Sequence, residues 1–194
     1  MIDRTSTSDI PAQSTREAKA SDGVRALQAC PKLKNTSDSV TLDLAAIREL
    51  GKYKQFVLWK SVLRDGKVTK VPIAPDGRPA SVSDPSTWFS FETAHEAYVK
   101  NIGDGIGFVF TESDPFVGID LDNCLDDEGR PTEAAVRIVA EIASYTETSP
   151  SGRGLHIIAK GTLPSGRRRM KGVECYSQGR FFTLTGRWWP DAPA

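Results

Sequence analysis

Apolar and polar positions change period several times along this chain. Through residues 1–40 no apolar period is sustained, and Ser, Thr, Asp, Lys and Ala dominate. So little apolar surface cannot offset the entropy of ordering, and the stretch is expected to be a disordered or weakly helical tail. Residues 43–50 then carry helical spacing and are stopped by Gly51. Two strands are expected at 55–59 and 67–73, around a hairpin turn at Arg64, Asp65 and Gly66. Pro72, Pro75, Gly77 and Pro79 stiffen the loop that leads to residues 83–88. A helix is predicted over about 90–100, with Phe91, Ala94, Ala97 and Tyr98 as its apolar stripe.

Beyond that helix the pattern is mostly strand-like. Apolar runs at 105–110 and 116–122 are separated by turn-forming residues 111–115, and later strands are expected at 154–159, 172–176 and 181–185. Between them residues 132–144 have helical period, with Val136, Val139, Ala140 and Ala143 assigned to one face. The order predicts an α+β fold, a mostly antiparallel sheet with a helix packed on one side.

The chain has 194 residues, 39% hydrophobic and 26% charged, which suits a globular domain with a substantial core. It contains no apolar run of about 18 residues and no apolar signal-peptide core at its start, so a cytoplasmic location without membrane partners is expected. Cys30, Cys124 and Cys175 lack the spacing of a zinc knuckle or redox pair, and Cys124 and Cys175 sit in apolar runs as small buried hydrophobes. The formal net charge of zero hides an asymmetry. Residues 104–150 hold eleven acids against two bases, whereas residues 151–194 hold eight bases against two acids. An acidic half suits cations and a basic half suits phosphates.

Asp120 and Asp122 end the apolar run at 116–122. On a strand they share a face with Cα atoms about 6.6 Å apart, an arrangement that can hold hard cations or simply terminate a strand with Asx turns. Residues 149–157 are a Ser- and Gly-rich turn entering a strand that displays His156; Ser149, Ser151, Arg153 and His156 can all donate to an anion, or His156 can be a satisfied core residue. Glu174, embedded in an apolar strand, either completes a carboxylate set or bridges to an arginine such as Arg180. Arg167, Arg168, Arg169 and Lys171 form a basic cluster that binds phosphate or stays solvated. For His95 and for Trp188-Trp189 structural roles are expected.

In order, these motifs resemble the archaeo-eukaryotic primase superfamily, in particular the primase-polymerases of phages and plasmids. Its three catalytic motifs (hhhDhD, sxH and h[DE], h apolar and s small) correspond to 117–122, Gly154-Leu155-His156 and Val173-Glu174. Tyr176, Arg180-Phe181 and Thr185-Gly186 match downstream, and residues 70–75, 84–88 and 105–108 match upstream. The resemblance covers about residues 55–186. It implies a primase-polymerase fold over 41–194, with an N-terminal α/β module to about 103 and an RRM-like catalytic module at about 104–194. It implies that Asp120, Asp122 and Glu174 hold two Mg²⁺ or Mn²⁺ ions, and that His156, with Ser149, Ser151 and Arg153, grips the triphosphate of a dNTP or NTP. Arg180 would join the nucleotide contacts; Lys70 and the 167–171 cluster would contact a single-stranded DNA template. The implied activity is primer synthesis or DNA extension for a mobile element, alongside a helicase domain or protein. The same acidic cluster would also serve a metal-dependent nuclease or phosphotransferase, and an idle nucleic-acid-binding module would keep the sheet alone.

Overall fold

The computed structural model describes residues 45–163 and 168–190, so the tail at 1–40 and Arg167 lie outside the described residues. Helix α1 (Ala45–Leu50) leads into β1 (Phe56–Arg64), which returns as β2 (Lys67–Ile73). At their turn Asp65 and Gly66 have φ of 50° and 75°. A two-residue hairpin needs that left-handed pair, and Asp-Gly adopts it at little cost. Helix α2 (Phe91–Val99) follows, its Ser90 cap accepting from the Thr93 N–H. Then come β3 (Gly105–Phe110), β4 (Phe116–Leu121), α3 (Glu133–Ile142), β5 (Tyr145–Thr148), β6 (Leu155–Lys160), β7 (Arg169–Met170), β8 (Val173–Tyr176) and β9 (Arg180–Leu184).

The α+β class holds, but the strands form two antiparallel sheets rather than one, ordered β2-β1-β3-β9 and β5-β6-β4-β8-β7. The chain changes sheet between β3 and β4, where Asp114 accepts hydrogen bonds from Thr111, Gln55 and the Phe116 N–H. That short gap looks like an ordinary hairpin in the sequence, yet it hands the chain across. It returns between β8 and β9, so strands from both sides of residue 103 share the first sheet.

The main core lies between the sheets: Phe56, Leu58, Phe108, Phe110 and Phe182 of the first meet Phe116, Tyr145 and Ile158 of the second, with Ala94 and Ala97 of α2. The other face of the second sheet carries Ile119, Leu121, Leu155, Ile157 and Cys175, which pack on Ala135, Ile138 and Val139 of α3. This corrects the predicted face of α3. Val136 is 51% exposed because Ile138 and Ile142, in phase with Ala135 and Val139, bury more apolar surface. Cys124 lies in the same core, and burial pushes its thiol up to about 11.

Strands β5 and β7 have no counterpart in the expected elements. Beyond β9 the chain runs back along β5: the Thr148 N–H donates to the Arg187 carbonyl, and the Trp189 N–H to that of Thr146. Trp189 packs on the second core as expected, whereas Trp188 stays 39% exposed. No described helix is long and apolar enough to cross a membrane.

Gly118 of β4 lets the sheets approach. A Cβ there would lie 2.7 Å from the Phe110 ring and 3.3 Å from Phe182. Gly118→Ala is expected to lower unfolding free energy by about 1–3 kcal/mol, read from urea denaturation, because two packed rings must shift.

Candidate active site

Strand register on the second sheet determines where the polar side chains meet. Facing residues pair as Glu147 with His156, His156 with Asp120, Asp120 with Glu174, and Glu174 with Arg169. One row thus crosses all five strands, neighbours having Cα atoms about 4.5–5.5 Å apart. The preceding row on this face is Tyr145, Ile158, Gly118 and Tyr176, which belongs to the inter-sheet region. The row is therefore the point where the apolar interface gives way to charge. Asp122 lies one step further, exposed, with its N–H donating to the Gly172 carbonyl.

Asp120, His156 and Glu174 are thus brought together from three strands, with Asp122 beside them. Burial pushes the Asp120 carboxyl above the usual carboxylate range; His156 opposes this, and the like charges of Asp122 and Glu174 add to it. Asp120 Oδ1 stands 3.8 Å from His156 Nε2. The His156 ring is buried against Phe182, centroids 4.3 Å apart, and its Nδ1 lies 3.0 Å from the Thr183 carbonyl.

Glu174 makes the bridge that was one of its two expected roles, but with Arg169 rather than Arg180. Arg169 Nη2 donates to Glu174 Oε2 at 2.7 Å, and its Nε pairs with Oε1. The reason is register: Arg169 stands directly across from Glu174. Arg180 instead lies over the Tyr176 ring, 5.5 Å from its centroid. Among the described residues no group of three or more His, Cys, Asp or Glu is arranged to hold a metal ion.

The Ser- and Gly-rich turn closes tightly on itself. The Ser149 N–H donates to the Gly154 carbonyl and the Gly152 N–H to that of Ser149, with Gly152 at φ 75°. Ser149 and Ser151 hydroxyls lie 3.0 Å apart. Gly154 has to be small, since a Cβ would sit 2.6 Å from the Leu121 carbonyl oxygen. Arg153 points outward, 60% exposed, 3.4 Å from Asp127. A residue absent from the expected set, Arg187, donates from Nη2 to the Ser149 carbonyl at 2.6 Å. Lys70 lies over Trp59, 5.3 Å from its ring; partial desolvation lowers its pKa, and Asp120 and Asp122 oppose that. Arg168 reaches Ser177 at 3.4 Å, and Lys171 is exposed.

The other residue not foreseen is Glu147. It is fully buried and accepts from the Tyr145 hydroxyl and the N–H groups of Thr185 and Gly186. Its signal in the sequence is faint: a four-residue Tyr-Thr-Glu-Thr alternation just after a helix. A cavity of about 570 Å³ lies between α2 and the ends of β3 and β9, lined among others by Trp59, Phe91, His95, Pro150, Thr185 and Arg187. His95 there stacks on Phe91, 5.7 Å between centroids.

The chain is 42% identical over 153 residues, 75% of its length, to a DNA primase-polymerase of Nitratiruptor phage NrS-1. It spans 21% of that protein's length. No family model matches the chain. The similarity bears out the resemblance to phage primase-polymerases drawn from the motifs.

The raised Asp120 carboxyl has a stability consequence. The folded state holds its proton more tightly than the unfolded chain, so its contribution is complete below the ordinary aspartate value and is lost as pH rises through the raised one. Asp120→Asn, melted in the presence of a chelator, is therefore expected to gain about 2–4 °C in Tm at neutral pH. The gain should vanish as pH falls through the usual aspartate range.

Proposed function

We propose that this chain, akin over three quarters of its length to a phage primase-polymerase, is a metal-dependent nucleotidyltransferase that makes or extends DNA on a single-stranded template. One observation carries the assignment to these residues: the cross-strand register that sets Asp120 between His156 and Glu174, with Asp122 on the same face. The second sheet, which carries the site, supports the further proposal of a primase-polymerase fold with an RRM-like catalytic part at about 104–194; a division at about residue 103 runs through the first sheet, whose strands come from both sides of it.

The donor set fits hard divalent cations. Asp120 and Asp122 offer carboxylate oxygens that repel one another and are only partly offset by His156 and Lys70, and Glu174 stands directly across from Asp120. Mg²⁺ or Mn²⁺ held there supplies, when bound, Lewis acidity toward an attacking 3′-hydroxyl and a leaving pyrophosphate. Arg169 occupies both Glu174 oxygens, so Glu174 has to exchange that partner to join the set.

The chain's own groups do the rest. The closed turn at 149–154 carries small residues and the hydroxyls of Ser149 and Ser151, donors suited to phosphate oxygens, two residues beyond Glu147 of the row. His156 turns Nε2 toward Asp120, and with its ring protonated Nε2–H donates to the triphosphate. Arg153, exposed, adds charge at the mouth of the turn. Arg180, over the Tyr176 ring, offers its guanidinium to the nucleotide. Lys70, attracted by the two aspartates, is placed to contact substrate phosphate, and Arg168, Arg169 and Lys171 form the basic side toward the template.

With primed single-stranded template, dNTPs and Mn²⁺, the protein is expected to lengthen the primer. Asp120→Ala with Asp122→Ala should cut that rate at least about a hundredfold, since metal-held charge stabilisation is worth several kcal/mol. Primer degradation without extension would instead identify a nuclease, and DNA binding unaffected by the double change, with no activity, an idle binding module. Arg169→Ala separates two roles: tighter Mn²⁺ binding by calorimetry is expected if Arg169 competes for Glu174, weaker template binding if it contacts DNA.

A further inference from the structure

Glu147 takes no part in the reading above, yet it is among the most heavily bonded side chains next to the site. A carboxylate removed from water is costly unless donors surround it. Here Oε2 accepts from the Tyr145 hydroxyl at 2.8 Å and the Gly186 N–H at 2.9 Å, and Oε1 accepts from the Thr185 N–H at 2.9 Å. The same Oε1 lies 3.6 Å from His156 Nδ1. Thr185 and Gly186 are the residues where the chain leaves β9, with Gly186 at φ 65°. One carboxylate therefore ties β5 to the end of β9 directly beside the His156 ring of β6.

The ring is bound to the same segment. A carbonyl oxygen only accepts, so the 3.0 Å contact to Thr183 requires hydrogen on Nδ1. Nε2 is then the nitrogen left facing Asp120, 3.8 Å away. The Thr183 carbonyl is two residues before the first N–H that Glu147 holds, and Phe182, on which the ring lies, is one residue earlier. Phe182 and Thr183 are also held by their pairing with β3, so Glu147 acts at the free end of a strand whose middle supplies the floor and the acceptor of His156.

We propose that Glu147 is a positioning residue for His156: by anchoring Thr185 and Gly186 it keeps the Thr183 carbonyl on Nδ1, and so holds the ring with Nε2 toward the substrate. This rests on the reading of His156 as a nucleotide contact. Glu147→Gln keeps size but offers an amide N–H where an oxygen was, leaving one backbone donor without an acceptor.

The test uses long-range ¹H–¹⁵N spectra of the histidine rings together with steady-state kinetics. In the unsubstituted protein, at a pH where the ring is neutral, His156 is expected as the Nδ1–H tautomer; finding it as Nε2–H overturns the proposal, whether or not any variant folds. Glu147→Gln, its fold checked in the same spectra, should show both tautomers. Its dNTP KM should rise about tenfold, the scale on which outer partners of a functional histidine act, with a smaller change in kcat. A variant that keeps one tautomer and the original KM overturns the proposal. Addition of dNTP to the unsubstituted protein tests the underlying reading separately: His156 signals that do not move remove the nucleotide contact while leaving the tautomer result standing.

Discussion

The register of five short strands is the constraint on which the candidate site depends. A slip of one residue between β4 and β6 would turn Asp120 toward α3 and expose Ile119 or Leu121, because side chains alternate faces with a period of two. The apolar partners on the α3 side, Ile119, Leu121, Leu155, Ile157 and Cys175, therefore do more than fill a core. They hold the acids and His156 opposite one another on the other side. The site is specified by residues that never touch it.

The row itself runs against local preference. Glutamate and aspartate are poor strand formers, and Asp120 and Glu174 face each other with like charge. Compensation comes at the two ends. Arg169 neutralises Glu174 on one side, and the donors around Glu147 satisfy the other. Between them burial, with the like charges of Asp122 and Glu174 added and His156 and Lys70 opposing, raises the Asp120 carboxyl and marks the centre of the row as its chemically unsettled part.

Much of this was legible in the sequence for a definite reason. Asp120, Asp122, His156 and Glu174 interrupt or end apolar runs, which marks them without any knowledge of the fold, but their own pattern left other roles open and only their order, as a resemblance, joined them. The partners were harder. Arg169 sits in a two-residue strand and Glu147 in a four-residue one, too short for period to register, and each acquires its meaning only from what lies across the sheet. Pairing between β3 and β9 joins residues at least 70 apart, so local pattern could not separate one sheet from two. The face of α3 was misplaced because several apolar residues on it compete, and only packing on Leu155 and Ile157 decides among them.

The segment at 187–189 closes the free edge of β5 after the chain has already served as the edge of the first sheet. Seen mechanically, it is a tether lying across both halves of the molecule. A pull on the chain beyond Trp189 would load its two backbone bonds to β5 one after the other, as a zipper opens, instead of all at once. Once Trp189 had left the second core, the next groups to feel the tension would be the Gly186 and Thr185 amides on Glu147.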